Sequence, residues 1–199
     1  MWEKQYHVCG RLYQSCHFKD CHASKVISIF AKDSTANQPN DIAIAPNGII
    51  YASDPNWKNN TGNLWRVTEE KGFELIESNM GTTNGICVSP DGKKLYVNES
   101  IQRKVWVYDL LSNGDVANKK EFTSFSDFGL DGMRCDANGN VFITRFGKGT
   151  VVVLSPKGDV LYEIELIGQK PSNITFSNTY DTCYVTMADR GCIEIVYLQ

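Results

Sequence analysis

The chain lacks several features that would have placed it in a class at once. It has no run of eighteen apolar residues, so nothing reads as a membrane-spanning helix and no membrane is expected as a partner. The opening Met1-Trp-Glu-Lys-Gln-Tyr-His is followed by no apolar stretch, so a secretory signal is not expected and a cytoplasmic location is. Acids and bases are mixed, with a formal net charge of −3 and no basic stripe, which argues against a nucleic-acid partner. The seven cysteines have no paired short spacings. Reduced thiols fit that pattern better than a disulfide framework. Sustained helical periodicity is also missing. Without a secretory signal, the sequons at Asn59, Asn98 and Asn173 carry no weight.

What is present is a repeat. Asn40-Asp41-Ile42-Ala43-Ile44-Ala45-Pro46-Asn47-Gly48 leads to Tyr51-Ala52-Ser53. Asn84-Gly85-Ile86-Cys87-Val88-Ser89-Pro90-Asp91-Gly92 leads to Tyr96-Val97-Asn98. Asp131-Gly132-Met133-Arg134-Cys135-Asp136-Ala137-Asn138-Gly139 leads to Phe142-Ile143-Thr144. A fourth copy, Ser172-Asn173-Ile174-Thr175-Phe176-Ser177, leads to Tyr184-Val185-Thr186. The leading residues are spaced 44, 47 and 41 apart, and in the first three copies the turn glycine follows eight residues later. Each copy predicts two strands joined by a tight turn, and Asn138-Gly139 is a strong hairpin signal because both residues tolerate positive φ. A third strand follows each time, at Asn63–Val67, Lys104–Tyr108, Thr150–Leu154 and Cys192–Tyr197. The first three copies add a fourth, at Phe73–Ile76, Lys119–Phe122 and Val160–Leu166. Four short strands at a period near 44 are the pattern of a β-propeller blade. A β-sandwich built from the same hairpins has no reason to repeat its turn chemistry at a fixed period.

The expected fold is therefore all-β: residues 24–199 as a partial propeller of about four to four and a half blades, preceded by an irregular segment, residues 1–23. That segment gathers Cys9, Cys16 and Cys21 with His7, His17 and His22, but at spacings that match no zinc knuckle. Ser24–Phe30 reads as the closing strand of an earlier blade.

In a propeller the first strand of each blade lines the central channel, so one repeat position becomes a ring. Asn40, Asn84, Asp131 and Ser172 should converge at the channel mouth. All four offer oxygen, which suits a hard cation such as calcium or magnesium better than zinc. Asn and Asp side chains also cap backbone groups at strand starts, and the ring alone leaves both readings open. Gly132, with no side chain, should leave Asp131 unshielded. Asp136-Ala-Asn138-Gly-Asn140 alternates oxygen donors like a calcium loop, but lacks the length and distal glutamate of one, and reads as a hairpin turn.

Gln38-Pro39-Asn40-Asp41-Ile42, Thr83-Asn84-Gly85-Ile86 with Ser89-Pro90-Asp91-Gly92, and Leu130-Asp131-Gly132-Met133 resemble phrases of the senescence marker protein/gluconolactonase/luciferin-regenerating enzyme family, in order and at similar separations. The resemblance runs from about Ser24 to the C-terminus. It implies a six-bladed propeller holding one divalent cation, most often calcium, with magnesium and zinc as alternatives. It implies hydrolysis of a small-molecule lactone or ester. Asn84 and Asp131 match metal ligands, Asp131 also matches the proposed general base, and Asn40 and Asp41 match positions near the substrate. Two departures stand out. The family's third ligand, a glutamate in a Glu-Gly-Pro phrase, has no counterpart, since Glu3 is followed by Lys4. Gln38 also stands where some members carry a substrate-binding arginine. Six blades at this period need about 264 residues, so a truncated member is expected, with self-association through open blade faces bearing Val26, Ile27, Ile29, Ile193, Ile195 and Tyr197. The rival reading is a catalytically inactive partial propeller that binds a ligand or a protein.

Overall fold

The computed structural model describes residues 16–21 and 26–198. These residues form seventeen strands in five antiparallel sheets and no helix. The first sheet pairs β1 (Cys16–Cys21) with β2 (Val26–Lys32). The second runs β3 (Ile42–Ile44), β4 (Ile50–Asn56), β5 (Thr61–Thr68), β6 (Gly72–Met80). The third runs β7 (Thr83–Val88), β8 (Lys94–Glu99), β9 (Lys104–Leu110), β10 (Val116–Ser124). The fourth runs β11 (Gly129–Cys135), β12 (Val141–Phe146), β13 (Thr150–Leu154), β14 (Val160–Glu165). The fifth has three strands, β15 (Pro171–Phe176), β16 (Thr182–Met187) and β17 (Cys192–Tyr197). Strand order follows chain order in every sheet, so each is a simple meander. Five small sheets packed side by side are a partial propeller and not a two-sheet sandwich.

Apolar clusters fill the spaces between consecutive sheets. Ile86, Leu95, Val97 and Tyr108 of the third sheet pack on Tyr51 and Leu64 of the second. Cys87, Tyr96, Val105 and Val107 face Leu130, Met133, Val141 and Ile143 of the fourth. Val151, Val153 and Phe142 face Ile174, Cys183 and Val185 of the fifth. A middle sheet is thus buried on both faces. This is why β13 reads Thr-Val-Val-Val-Leu without alternation and is buried throughout. The outward face of the fifth sheet has no such cover. Ile193 and Ile195 are 62% and 53% exposed, whereas Val105 and Val107, at the same repeat positions, are buried. Ile27, Ile29 and Tyr197 are exposed as expected. The Val26 side chain is outside the described residues.

The hairpin turns correct one detail. The reverse turn at Asp136–Asn140 has Gly139 N–H donating to the Asp136 carbonyl and Asp136 N–H to the Asn140 carbonyl. Gly139 has φ +82°, but Asn138 is not in the left-handed region. The turn is therefore longer than the two-residue form and ends on a left-handed glycine, as do the turns at Gly48 and Gly92. Asp136 Oδ1 accepts from the N–H groups of Asn138 and Asn140. Those bonds account for the alternating oxygen donors without a cation. In the N-terminal segment, β1 contains Cys16, His17 and Cys21 and pairs antiparallel with β2, with a register shift between His17 and Phe18. His7, Cys9 and His22 lie outside the described residues, and with them the zinc reading.

Candidate functional site

Each sheet must deliver its first strand to the channel at a fixed height, and buried hooks do this. Asp54, Glu99 and Arg145 occupy one repeat position, the residue after Ser53, Asn98 and Thr144, and all three are buried. The Asp54 carboxylate accepts from the backbone N–H groups of Asn37 (3.0 Å) and Gln38, from Trp65 Nε1 (2.9 Å) and from Asn63 Nδ2 (3.2 Å). Glu99 accepts from Gly81 N–H (2.9 Å) and Trp106 Nε1 (2.8 Å). Arg145 reverses the polarity, donating to the carbonyl and carboxylate of Asp127 at 2.7 Å with its guanidinium over the Phe125 ring. The partners lie on the loops that lead into β3, β7 and β11. In the fifth sheet Asp189 does the same work on Gln169 and Lys170.

A second layer ties the inner strands themselves. Ser53 Oγ accepts from Asp41 N–H, Thr144 Oγ donates to the Gly132 carbonyl, and Thr186 Oγ donates to the Asn173 carbonyl. Asn98 is longer and reaches the neighbouring sheet, where Nδ2 donates to the Asp131 carbonyl at 2.6 Å. Its Oδ1 is buried without a hydrogen-bond partner.

The strands that carry the expected ring lie side by side. Asn84, in β7, is 3% exposed. Beside it, Gly85 sits against the Asp131 carbonyl, which would lie 2.2 Å from a Cβ at that position. Asp131 is half-buried in β11. Asn40 precedes β3 and is held by its own N–H on the Ser53 carbonyl. Ser172 Oγ is hydrogen-bonded to Thr186 Oγ at 2.9 Å, so its oxygen is already engaged. The expectation that Gly132 merely leaves Asp131 unshielded needs adding to. Asn173 Oδ1 would lie 2.2 Å from a Cβ at residue 132, so Gly132 also makes room for the next sheet.

Asp41 bridges the second and third sheets. Its Oδ1 caps Ile42 N–H, and its Oδ2 accepts from Ile86 N–H at 3.3 Å and stands 3.8 Å from Arg134 Nη1. Burial pushes the Asp41 carboxyl above its ordinary value, with Arg134 and the two N–H groups pulling the other way. The folded chain thus holds this proton more tightly than the unfolded chain. The corresponding stability is present at low pH and is lost as pH rises from the ordinary carboxylate value, about 3.9, through the raised one. Asp41→Asn should remove that loss. Between about pH 4 and pH 7 its urea midpoint should fall less, or rise more, than that of the wild type. Parallel curves would sink the assignment.

Arg134, Asn98 and the hooks were not singled out in the sequence. Their signals were there: a charge inside the otherwise apolar Met133–Cys135, and an aligned Ser53-Asp54, Asn98-Glu99, Thr144-Arg145 with Trp65 and Trp106 downstream.

Asn84 and Asp131 supply an amide oxygen and a carboxylate on adjoining strands, a hard-oxygen set suited to calcium or magnesium. Among the described residues no cluster of three or more His, Cys, Asp or Glu could complete a cage.

Residues 7–189 match the model of the SMP-30/Gluconolactonase/LRE-like region. The chain belongs to this family. A gluconolactonase of Zymomonas mobilis is 30% identical over 177 residues, covering 78% of this chain and 49% of that protein. A 6-deoxy-6-sulfogluconolactonase of Pseudomonas putida is 29% identical over 154 residues, covering 74% and 53%. Among solved structures, the calcium-binding protein regucalcin from Agrobacterium tumefaciens superposes with a TM-score of 0.76 at 23% identity, covering 87% of this chain and 62% of that one. At that identity the likeness speaks for the fold. The chain spans about half the length of the curated relatives it matches.

Proposed function

We propose that this chain carries the core of a divalent-metal-dependent lactone hydrolase. The observation that supports it is the placement of Asn84, a buried residue of β7, on the strand that packs beside β11 and Asp131. Asn84 and Asp131 would hold the cation, with calcium preferred on their oxygen chemistry and magnesium or zinc as alternatives. Such an ion, when bound, supplies Lewis-acid polarisation of the ring carbonyl. Asp131 takes the proton from the attacking water as general base. Asn40 and Asp41, one sheet away, orient the substrate, and Arg134 fixes the Asp41 carboxylate. The substrate class, a lactone, is taken from the printed activities of the relatives.

Asp131→Asn keeps an oxygen for the ion but removes the base. Turnover of a sugar lactone, followed by pH-stat with calcium present, should fall on the order of 10²–10⁴-fold while the urea midpoint stays near wild type. Activity within a few-fold of wild type would show that Asp131 is not the base.

One observation favours a second reading. Among the described residues no group of three or more His, Cys, Asp or Glu is placed to hold a metal ion. A binding module without turnover fits that donor set. Stoichiometric calcium binding by calorimetry, with no lactone hydrolysis by the wild-type chain, would decide for it.

A further inference from the structure

Cys87 and Cys135 come from different sheets and stand 48 residues apart in the chain, yet their Sγ atoms are 3.5 Å apart. Cys87 is buried one residue before the end of β7, and Cys135, at the end of β11, is half-buried. Both border the apolar cluster between the third and fourth sheets, with Tyr96, Met133 and Phe122 around them. Their place relative to the candidate site is fixed. Cys87 follows Asn84 by three residues, and Cys135 follows Asp131 by four.

We infer that Cys87 and Cys135 are an oxidisable dithiol, a reversible modification site at which a peroxide converts two thiols into a disulfide joining the third and fourth sheets. Cys135 is the more accessible sulfur and reacts first. Its thiolate attacks one peroxide oxygen, the O–O bond breaks, and Cys135 sulfenic acid and hydroxide form. The sulfur of Cys87, already in contact, then displaces the sulfenic oxygen. The S–S bond forms, the S–O bond breaks, and the Cys87 thiol proton leaves with that oxygen as water. In sum, two thiols and one peroxide give one disulfide and two waters. Two sulfur electrons reduce the peroxide, and no other reactant is needed.

The packing supports this order. Burial pushes the Cys87 thiol up, which suits the second sulfur better than the one that meets oxidant. The Asn98–Asp131 hydrogen bond already ties the same two sheets. A bond of about 2.05 Å needs the sulfurs to close the remaining gap by a modest rotation and shift. Cys183 and Cys192 serve as internal controls. Cys183 is buried in the cluster between the fourth and fifth sheets, and Cys192 is exposed on β17.

The test uses the full wild-type chain, reduced, freed of reductant and treated with hydrogen peroxide. The expected result is an intact mass lower by about 2 Da, with peptide mapping that joins the Cys87 and Cys135 peptides, reversed by dithiothreitol. The linked form should unfold at a temperature higher by on the order of 5–10 °C, because the link closes a long loop. Cys135→Ser should abolish the link, and Cys192→Ser should leave it intact. Three outcomes would overturn the proposal: sulfinic acid at Cys135 with Cys87 still free, a link that forms only in denaturant, or oxidised protein with an unchanged or lowered unfolding temperature. The wild-type mapping decides even if a serine variant fails to fold.

Discussion

Asp54→Ala is expected to destabilise the chain by on the order of 4 kcal/mol. The carboxylate is fully buried and accepts from two backbone N–H groups, an indole N–H and a side-chain amide. Alanine leaves those donors facing a gap, and each unsatisfied buried donor costs about 1–3 kcal/mol. Some will find water, which is why the sum is set below the additive maximum. Domains of this size have about 5–15 kcal/mol in all, so the variant should be marginal at 37 °C. The loss should also be local in its consequence. Asn37 and Gln38 precede Asn40 and Asp41, so the loop that presents those residues should lose protection from amide exchange before the other sheets do. Asp54→Asn keeps one acceptor oxygen but turns an NH₂ toward donors, and should cost about half as much. Urea unfolding followed by tryptophan fluorescence reads both. A loss of under 1 kcal/mol for alanine would mean that the hook does not hold the loop.

That hook shows where the sequence was legible and where it was not. Strand positions could be read because a meander of short strands repeats its turns, and a turn has local chemistry. The Gly48, Gly92 and Gly139 turns each follow the leading residue at one distance, and the strand bounds at Thr150–Leu154 and Cys192–Tyr197 match the sequence reading residue for residue. That β7 and β11 lie side by side also followed from the repeat, since equal strands of neighbouring blades must meet. What escaped was polarity that differs between copies. Asp54, Glu99 and Arg145 do one job with different chemistry, so they do not align as a motif. The Cys87–Cys135 contact escaped for another reason. The two residues sit at offsets of three and four from their leading residues, and facing pairs between sheets need not share an offset.

Gly85→Ala should cost about 3 kcal/mol and disturb the candidate site more than any neighbouring substitution of comparable size. Replacing glycine by alanine usually stabilises by about 0.4–1 kcal/mol through the unfolded chain, and Gly85 does not use a left-handed φ, so a gain would be the default. The packing reverses the sign. A Cβ at residue 85 would lie 2.2 Å from the Asp131 carbonyl oxygen, 2.6 Å from Asn98 Nδ2 and 3.1 Å from Met133 Cγ. The first two atoms are the acceptor and donor of the hydrogen bond that ties the third sheet to the fourth. None of them is the free end of a flexible chain, so β7 and β11 must separate or the hydrogen bond must break. Either movement shifts Asp131 relative to Asn84, and Asn98, whose Oδ1 already has no partner, would keep only the contact of its Nδ2 with Met133 Sδ at 3.4 Å. Asp41 tolerates a side chain at the same repeat position because its own reaches the Ile86 N–H instead of a carbonyl. The expected readings are a urea midpoint lowered in proportion to that cost and calcium affinity weakened at least tenfold relative to wild type. A variant as stable as wild type would show that the two strands are not packed this closely, and the adjacency on which the cation site rests would go with it.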